Sequence, residues 1–243
     1  MATSKIRKGV PAMDPYQPAE AAFEVTRRLL EAARAVPGLR LSITTKSTLI
    51  ARDAALLAEL GRRAEISVNF SVPTVDAALA RRLEPRAPRP DLRLGAMEAL
   101  ASAGVTTRLF MMPILPRLTD GEANLAALLA AGRAAGAAGA VSGVLFLRPG
   151  TREVFFAFLR AEYPALVPEY ARLYAGGAYA RADYLAEVES RVRRLADVVG
   201  FSVRRLPPRL APLSRARPGA GRWHLRPSAH QARRLLTGRF RCG

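Results

Sequence analysis

The side chains most often used for nucleophilic and metal chemistry are scarce in this sequence and lie near its end. The two histidines, His224 and His230, and the single cysteine, Cys242, all fall in the last 20 residues. A serine hydrolase is excluded, because there is no GxSxG elbow and no histidine in the body of the chain. One cysteine excludes an internal disulfide and any site built from several thiolates of this chain. A metal site formed by His224, His230 and Cys242 is disfavoured by its ligand spacing.

The remaining candidates for binding chemistry are polar residues at the ends of apolar runs. Alternating parallel strands and helices bind ligands at the carboxyl ends of the strands. That rule selects four short segments: Thr44–Ser47, Ser67–Ser71, Met112–Pro116 and Leu147–Gly150. Carboxylates of the body do not pair in a pattern typical of general acid–base catalysis.

The elements that would position these segments follow from hydrophobic periodicity. Helices are predicted over 18–35, 52–62, 90–103 and 120–137, and later over 151–160, 164–175 and 180–198. Thr119, three residues before Glu122, is predicted to form a capping box. Strands are predicted over 39–45, 65–72, 106–115 and 141–148, with a weaker one over 199–204.

This alternation predicts an α/β fold with parallel strands joined by right-handed crossovers. A partial (βα) barrel that lacks its first strand is favoured over a doubly wound nucleotide-binding sheet, because no glycine-rich phosphate loop follows a strand. The predicted organisation is a partial barrel over 1–150, a carboxy-terminal helical extension over 151–203, and a disordered tail rich in Arg and Pro over 204–243.

The net charge of +18 is concentrated in that tail, since 11 arginines and no acidic residue lie after residue 200. Such a segment would be attracted to polyanions such as nucleic acid or anionic lipid, or it is simply an unfolded terminus. No apolar run is long enough for a transmembrane helix and no signal peptide is recognisable, so a cytoplasmic protein without a membrane partner is expected.

Four segments in order resemble the spore photoproduct lyase-like branch of the radical SAM superfamily. They are the DPYQPAE run that starts at Asp14, the TTKS run at 44–47, the ISVN run at 66–69 with LEPRAP at 83–88 and Arg93, and MPILP at 112–116 with Thr119 and Asp120. The resemblance covers roughly residues 9 to 200.

The resemblance implies binding of S-adenosylmethionine at the strand ends, a [4Fe–4S] cluster that reduces it, and radical chemistry in intact relatives. Lys46 would supply a cation for the cofactor's carboxylate or a donor for its ribose, Ser67 would supply a hydroxyl at the neighbouring strand end, and Asp14 would accept from the amine or a ribose hydroxyl. Asn69 and Arg93 are also assigned to the cofactor site. Glu84 and Arg86 either join them in a polar network at the barrel mouth or pair with each other to organise the loop.

The sequence departs from the family pattern at the cluster. Relatives carry three cysteines as CxxxCxxC after the first barrel strand, and this chain has no such motif. Met13 stands where relatives usually carry a hydroxyl residue. Only 13 residues precede Asp14, too few for a strand, a cysteine loop and a helix. An amino-terminally truncated product is favoured over a degenerate binding protein, because a barrel without its first strand exposes an unpaired edge.

The function expected from the sequence is therefore that of a radical SAM family protein with lyase-like relatives, inactive as this chain. A DNA lesion is one substrate that the resemblance suggests, but a shared fold does not fix the substrate. The alternative is a non-catalytic nucleic-acid-binding protein that uses the arginine-rich tail. Such binding should weaken steeply with salt.

Overall fold

The computed structural model describes residues 14–205. Five strands and nine α-helices alternate along this part of the chain. The strands are β1 Arg40–Thr45, β2 Glu65–Ser71, β3 Thr106–Ile114, β4 Ala140–Val144 and β5 Val203–Arg205. The helices are α1 Glu20–Phe23, α2 Val25–Ala33, α3 Ala54–Gly61, α4 Ala77–Leu83, α5 Pro90–Ser102, α6 Glu122–Ala134, α7 Thr151–Glu162, α8 Val167–Leu173 and α9 Ala182–Val199, with 3-10 turns at Thr48–Asp53 and Pro164–Leu166.

The strands form one parallel sheet in the order β1-β2-β3-β4-β5, so that each strand neighbours the next one in the sequence. Sequential order with helical crossovers is the arrangement of a (βα) barrel. The sheet is a part of such a barrel, which confirms the predicted α/β fold.

The outer face of the sheet carries the apolar core. Val68, Leu109 and Met111 are fully buried beneath the helices. Helix α6 lies so close to β3 that a Cβ added at Gly132 would meet Leu109 Cδ2 at 2.7 Å and Leu109 Cβ at 3.2 Å. Glycine is therefore required at position 132 by packing rather than by backbone conformation.

The inner face of the sheet is polar at its β1–β2 side. Asn69 donates from Nδ2 to Ser42 Oγ at 2.9 Å and to Thr44 Oγ1 at 3.3 Å. Ser67 donates to Ser42 Oγ at 3.2 Å. These contacts place alternate residues of both strands on one face, as the two-residue period of a strand requires.

Two local predictions were wrong. A single helix over 18–35 is in fact two, because Glu24 adopts a left-handed conformation with φ 49° between α1 and α2. Glu20 stabilises the break by accepting hydrogen bonds from the N–H groups of Thr26 and Arg27. The capping box is absent: Thr119 Oγ1 accepts from the N–H of Leu115 at 2.7 Å instead.

Three buried tyrosines of the carboxy-terminal helices donate hydrogen bonds to residues that follow β3 and β4. Tyr170 donates to the carbonyl of Pro116 at 2.7 Å, Tyr174 to that of Leu145 at 2.7 Å, and Tyr184 to Asp120 Oδ2 at 2.6 Å. Helix α9 packs on α6 and on β4. Residues of the predicted extension over 151–203 therefore pack into the same hydrophobic core as the strands.

The weaker strand predicted over 199–204 is the shorter β5, whose last two residues, Arg204 and Arg205, lie at the end of that range and just outside it and were assigned to the tail. The rest of the predicted tail lies outside the described residues, as do residues 1–13. Within 14–205, no helix is long and apolar enough to cross a membrane.

Candidate functional site

Lys46 follows β1 directly, at the carboxyl edge of the sheet. Its side chain is 42% exposed, and Nζ lies 2.7 Å from Glu84 Oε1. Ser47 then caps the following 3-10 turn by accepting from the N–H of Leu49. The chain thus turns away from the sheet immediately after Lys46 and leaves the ammonium group at the rim of the barrel.

Asp14 binds the same edge through both carboxylate oxygens. Oδ1 accepts from Thr45 Oγ1 at 2.7 Å and from the N–H of Tyr16 at 3.0 Å. Oδ2 accepts from the N–H of Lys46 at 2.8 Å. Asp14 therefore ties the DPYQPAE segment to the end of β1 and fixes the backbone of Lys46.

Arg93 reaches this edge from α5 and is 1% exposed. Its Nη1 lies 2.7 Å from Glu84 Oε2 and donates to the carbonyl of Ser71 at 2.8 Å, and its Nε donates to the carbonyl of Pro88 at 2.7 Å. Nη2 is buried and has no hydrogen-bond partner among the described residues. Glu84 Oε2 likewise has no hydrogen-bond partner among the described residues, so its 2.7 Å contact with Nη1 is an ion pair without hydrogen-bond geometry. A buried guanidinium N–H without an acceptor is costly.

Glu84 joins the two cations at the carboxyl edge. It is 14% exposed, and its two oxygens pair with Lys46 and Arg93 respectively. The interpretation of Glu84 and Arg86 as a loop pair was wrong. The network at the barrel mouth consists of Lys46, Glu84 and Arg93, and we call it the edge triad.

Ser67 and Asn69 lie deeper than the edge triad. Ser67 is the third residue of β2, in register with Ser42, so its predicted position at a strand end was wrong. The residue that ends β2 is Ser71, whose hydroxyl donates to the carbonyl of Met112 at 2.9 Å. Ser67 and Ser71 are four residues apart, or about 13 Å along the strand. A ligand that touches both Lys46 and Ser67 must therefore be long and lie along the inner face.

The edges of β3 and β4 are closed by packing and hydrogen bonds. The Met112–Pro113 peptide bond is cis. Burial and the bonded carboxylate of Asp120 raise the pKa of Tyr184, which keeps this phenol protonated as a donor. The Met112–Pro116 segment, selected from the sequence, adds no charge at the site. The Leu147–Gly150 segment adds one, because Arg148 is exposed, lies 5.3 Å from the Phe146 ring centroid and forms no ion pair within residues 14–205.

The donors at this edge suit S-adenosylmethionine and do not suit an iron–sulfur cluster. Lys46 and the free Nη2 of Arg93 are cationic donors for a carboxylate, and the inner face offers hydroxyl and amide groups for a ribose. Residues 14–205 contain no group of three His, Cys, Asp or Glu side chains that could hold a metal ion. The sequence has one cysteine, Cys242, so three thiolates cannot come from this chain.

A comparison with family models decides the assignment. Residues 9–129 match the model of the radical SAM superfamily. The chain belongs to the radical SAM superfamily. The membership of the radical SAM superfamily inferred from the sequence motifs is thereby confirmed.

Curated relatives are similar in sequence to large parts of this chain. An uncharacterized protein of Mycobacterium tuberculosis (strain H37Rv) is 37% identical over 182 residues, which are 75% of this chain and 53% of that protein. An uncharacterized protein of Methanocaldococcus jannaschii is 32% identical over 109 residues, or 45% of this chain and 40% of that protein. The chain thus spans about half the length of the first of these relatives.

Solved structures of spore photoproduct lyase share the fold of this radical SAM protein. A variant with bound AdoMet and dinucleoside spore photoproduct superposes with a TM-score of 0.56 and 19% identity, covering 76% of this chain and 56% of that chain. A second complex with dinucleoside spore photoproduct gives a TM-score of 0.54 with 20% identity, covering 74% and 54%. At this identity the comparison shows a common fold.

The three residues of the edge triad, together with Asp14, were all named from the sequence, but the ion pairs that connect them were not predicted. Lys46, Arg93 and Asp14 meet at the carboxyl edge, whereas Ser67 and Asn69 lie below it on the inner face. No local pattern predicts the Lys46–Glu84 pair, because 38 positions separate the two residues. The nucleic-acid alternative depends on the tail beyond residue 205, and it stays a prediction.

Proposed function

We propose that the carboxyl edge of β1 and β2 binds S-adenosylmethionine. The proposal rests on the edge triad in a member of the radical SAM superfamily: a half-exposed lysine and a buried arginine with a free Nη2 lie on either side of one carboxylate. The carboxylate of Glu84 contacts both cations, so its negative charge reduces the electrostatic repulsion between them. A cofactor carboxylate would then be the acceptor for Lys46 and for Nη2 of Arg93.

The nucleoside part of the cofactor would lie along the inner face. Asn69 Nδ2 donates hydrogen bonds to three oxygen atoms of β1. Its Oδ1 has no hydrogen-bond partner within residues 14–205. That oxygen would accept from a ribose hydroxyl, and Ser67 Oγ would contribute a second polar contact. Asp14 would act through the backbone of Lys46; direct contact of Asp14 with the cofactor stays a prediction.

In the superfamily, bound S-adenosylmethionine supplies a deoxyadenosyl radical when a [4Fe–4S] cluster reduces it. The cluster does not fit the donors of this chain. We therefore propose that this chain binds and orients the cofactor but does not cleave it reductively by itself. Radical chemistry belongs to proteins that combine this edge with three thiolates.

Equilibrium dialysis of the full chain against radiolabelled S-adenosylmethionine tests the cofactor site. Lys46→Met should weaken binding about tenfold or more, because a charge-assisted hydrogen bond contributes about 1.5–3 kcal/mol. Arg40→Met is the matched control: Arg40 starts the same strand, is 72% exposed and pairs with Glu65 at the opposite edge. Equal affinities of the two variants, or no binding by the unmodified chain, would refute the site.

Anaerobic reconstitution with iron and sulfide tests the second part of the proposal. The chain should retain no stoichiometric [4Fe–4S] cluster after desalting, as judged by iron and sulfide content. Recovery of one cluster per chain would show that thiolates are not the required ligands here, and the proposed lack of reductive cleavage would fail. The dialysis result does not depend on this outcome.

A further inference from the structure

The inner face of the sheet carries a cation that the edge triad does not use. Arg108 lies in the middle of β3, directly in register with Asn69 of β2. Leu109, the next residue, is buried on the outer face, so Arg108 points to the inner one. Its side chain is half-buried and has no hydrogen bond or ion pair with any residue of the described chain.

Donors and an aromatic ring surround Arg108 on the same face. Thr106 and Phe110 are its neighbours two positions away along β3, and they are in register with Ser67 and Ser71. Adjacent strands are about 4.8 Å apart and same-face neighbours about 7 Å apart. Arg108 therefore lies within side-chain reach of hydroxyl donors on one side and of a half-exposed ring on the other.

A second arginine without a partner among the described residues, Arg204, lies on the opposite side of Phe110 from Arg108. Phe110 is in register with Val141 of β4, and Val141 with Arg204 of β5. The spacing of strands places Arg204 about 10 Å from Phe110, a distance that an arginine side chain can largely cover. Arg204 is exposed and, like Arg108, forms no hydrogen bond or ion pair with another described residue.

Acidic side chains on this face do not neutralise the two arginines. Glu65, at the amino end of β2, pairs with Arg40 at 2.8 Å. Glu84, at the carboxyl edge, pairs with Lys46 and Arg93. A concave surface with two unpaired guanidinium groups and paired carboxylates has a positive potential that favours anions.

We propose that Arg108 and Arg204 form a binding site for an oxyanion of the substrate, a phosphate or a carboxylate, with Phe110 as a platform for an adjoining planar group. Guanidinium groups bind both oxyanions through paired N–H donors. Aromatic rings stack on planar groups of ligands. This ligand is distinct from S-adenosylmethionine, whose proposed contacts are Lys46 and Arg93 at the edge and Asn69 and Ser67 on β2; Arg108 faces Asn69 from the neighbouring strand.

Protection from arginine modification tests the site on the unmodified full chain. The chain is treated with phenylglyoxal, and the modification rate of each arginine is followed by peptide mass spectrometry. Parallel reactions contain inorganic pyrophosphate, succinate, S-adenosylmethionine or no added ligand. Arg62 and Arg160 are the controls, because both are exposed and form no ion pair within residues 14–205.

Modification of Arg108 and Arg204 should slow about fivefold when an anion is present at four times its Kd, since the free fraction falls as 1/(1 + [L]/Kd). Protection by pyrophosphate identifies a phosphate site, and protection by succinate a carboxylate site. Arg62 and Arg160 should react at unchanged rates. Protection no greater than that of the controls would overturn the proposal.

Protection of Arg108 by S-adenosylmethionine alone would also overturn it, because Arg108 would then be a cofactor contact. An Arg108→Gln chain gives a second measurement: Arg204 should lose its protection if both side chains hold one anion. Failure of cofactor binding in the dialysis experiment leaves these rates unaffected, so the two proposals can fail separately.

Discussion

Removing the carboxylate of Glu84 should destabilise the fold far more than removing its exposed partner. Glu84→Ala leaves Arg93 charged, 1% exposed and without a carboxylate, although two carbonyl acceptors remain. Truncating one partner of a buried ion pair costs about 3–5 kcal/mol, because the other charge stays desolvated. We expect a loss in this range for the free energy of unfolding.

Lys46→Met removes the other ion pair of the same carboxylate with a much smaller effect. The lysine side chain is 42% exposed, and exposed pairs contribute less than about 1 kcal/mol. Glu84 would keep its contact with Arg93. The two variants therefore separate a stabilising role of Glu84 from a ligand-binding role of Lys46.

Urea unfolding at neutral pH, followed by far-UV circular dichroism, measures both changes. Glu59→Ala is a matched control, since Glu59 forms a two-point ion pair with Arg34 on the exposed surface and should have a much smaller effect. The reasoning is refuted if Glu84→Ala unfolds at the same urea concentration as Lys46→Met. It is also refuted if Glu59→Ala is as destabilising as Glu84→Ala.

Three further outcomes are expected in the same unfolding assay. Tyr184→Phe should cost about 1–2 kcal/mol, because it leaves the buried Asp120 without its 2.6 Å donor; an unchanged midpoint would contradict this. Burial tends to raise the pKa of Glu20, but backbone and arginine donors outweigh it and lower that pKa. The ionised Glu20 therefore contributes to the free energy of unfolding above its unfolded pKa near 4.5, and this contribution is lost as the pH falls through the folded pKa. Glu20→Gln should reduce the loss of stability at acid pH, and an equally steep loss would contradict this. Gly132→Ala should cost about 1–3 kcal/mol through a 2.7 Å contact with the core, whereas Gly95→Ala, with open space at Cβ, should stabilise by about 0.5–1 kcal/mol; the same sign for both would refute the packing argument.

The strands were predictable because their sequence signal is local and redundant. β1, β2 and β3 begin and end within one residue of the ranges expected from the apolar runs. β4 was predicted too long: the strand ends at Val144, and beyond it the N–H of Leu145 donates to the carbonyl of Ile114 while that of Leu147 donates to the carbonyl of Ala178. The periodicity of apolar residues fixes which face is buried, and burial of one face fixes the register.

The errors arose where a side-chain oxygen could accept from several nearby backbone N–H donors. Thr119 was expected to cap α6, but its hydroxyl accepts from the loop N–H of Leu115, and Gly121 is the N-cap of the helix. Helix α4 was missed, although Asp76 caps it by accepting from two N–H groups. A side-chain oxygen can satisfy backbone donors of a turn or of a helix equally well, so spacing alone does not decide between them.

The location of the candidate site was predictable from the sequence, but the ion pairs within it were not. The strand-end rule selected Lys46 correctly, because the rule depends only on strand direction. The partner of Lys46 depends on the position of the carboxyl end of α4. Glu84 follows this helix directly and contacts Lys46 after β1. No pattern within either segment encodes that contact.

The division between the edge triad and the inner face has a consequence for catalysis. Lys46 and Arg93 are held by one carboxylate and by backbone carbonyls, so the geometry for a cofactor carboxylate is fixed before any ligand binds. Preorganised charge costs little to reorganise during binding. The edge should therefore hold S-adenosylmethionine without a contribution from thiolates, and cofactor affinity and radical formation are separable properties of this fold. Three thiolates near this edge would supply a cluster site without changing these contacts, and Arg108, in register with Asn69 on the inner face, would remain available for the second ligand.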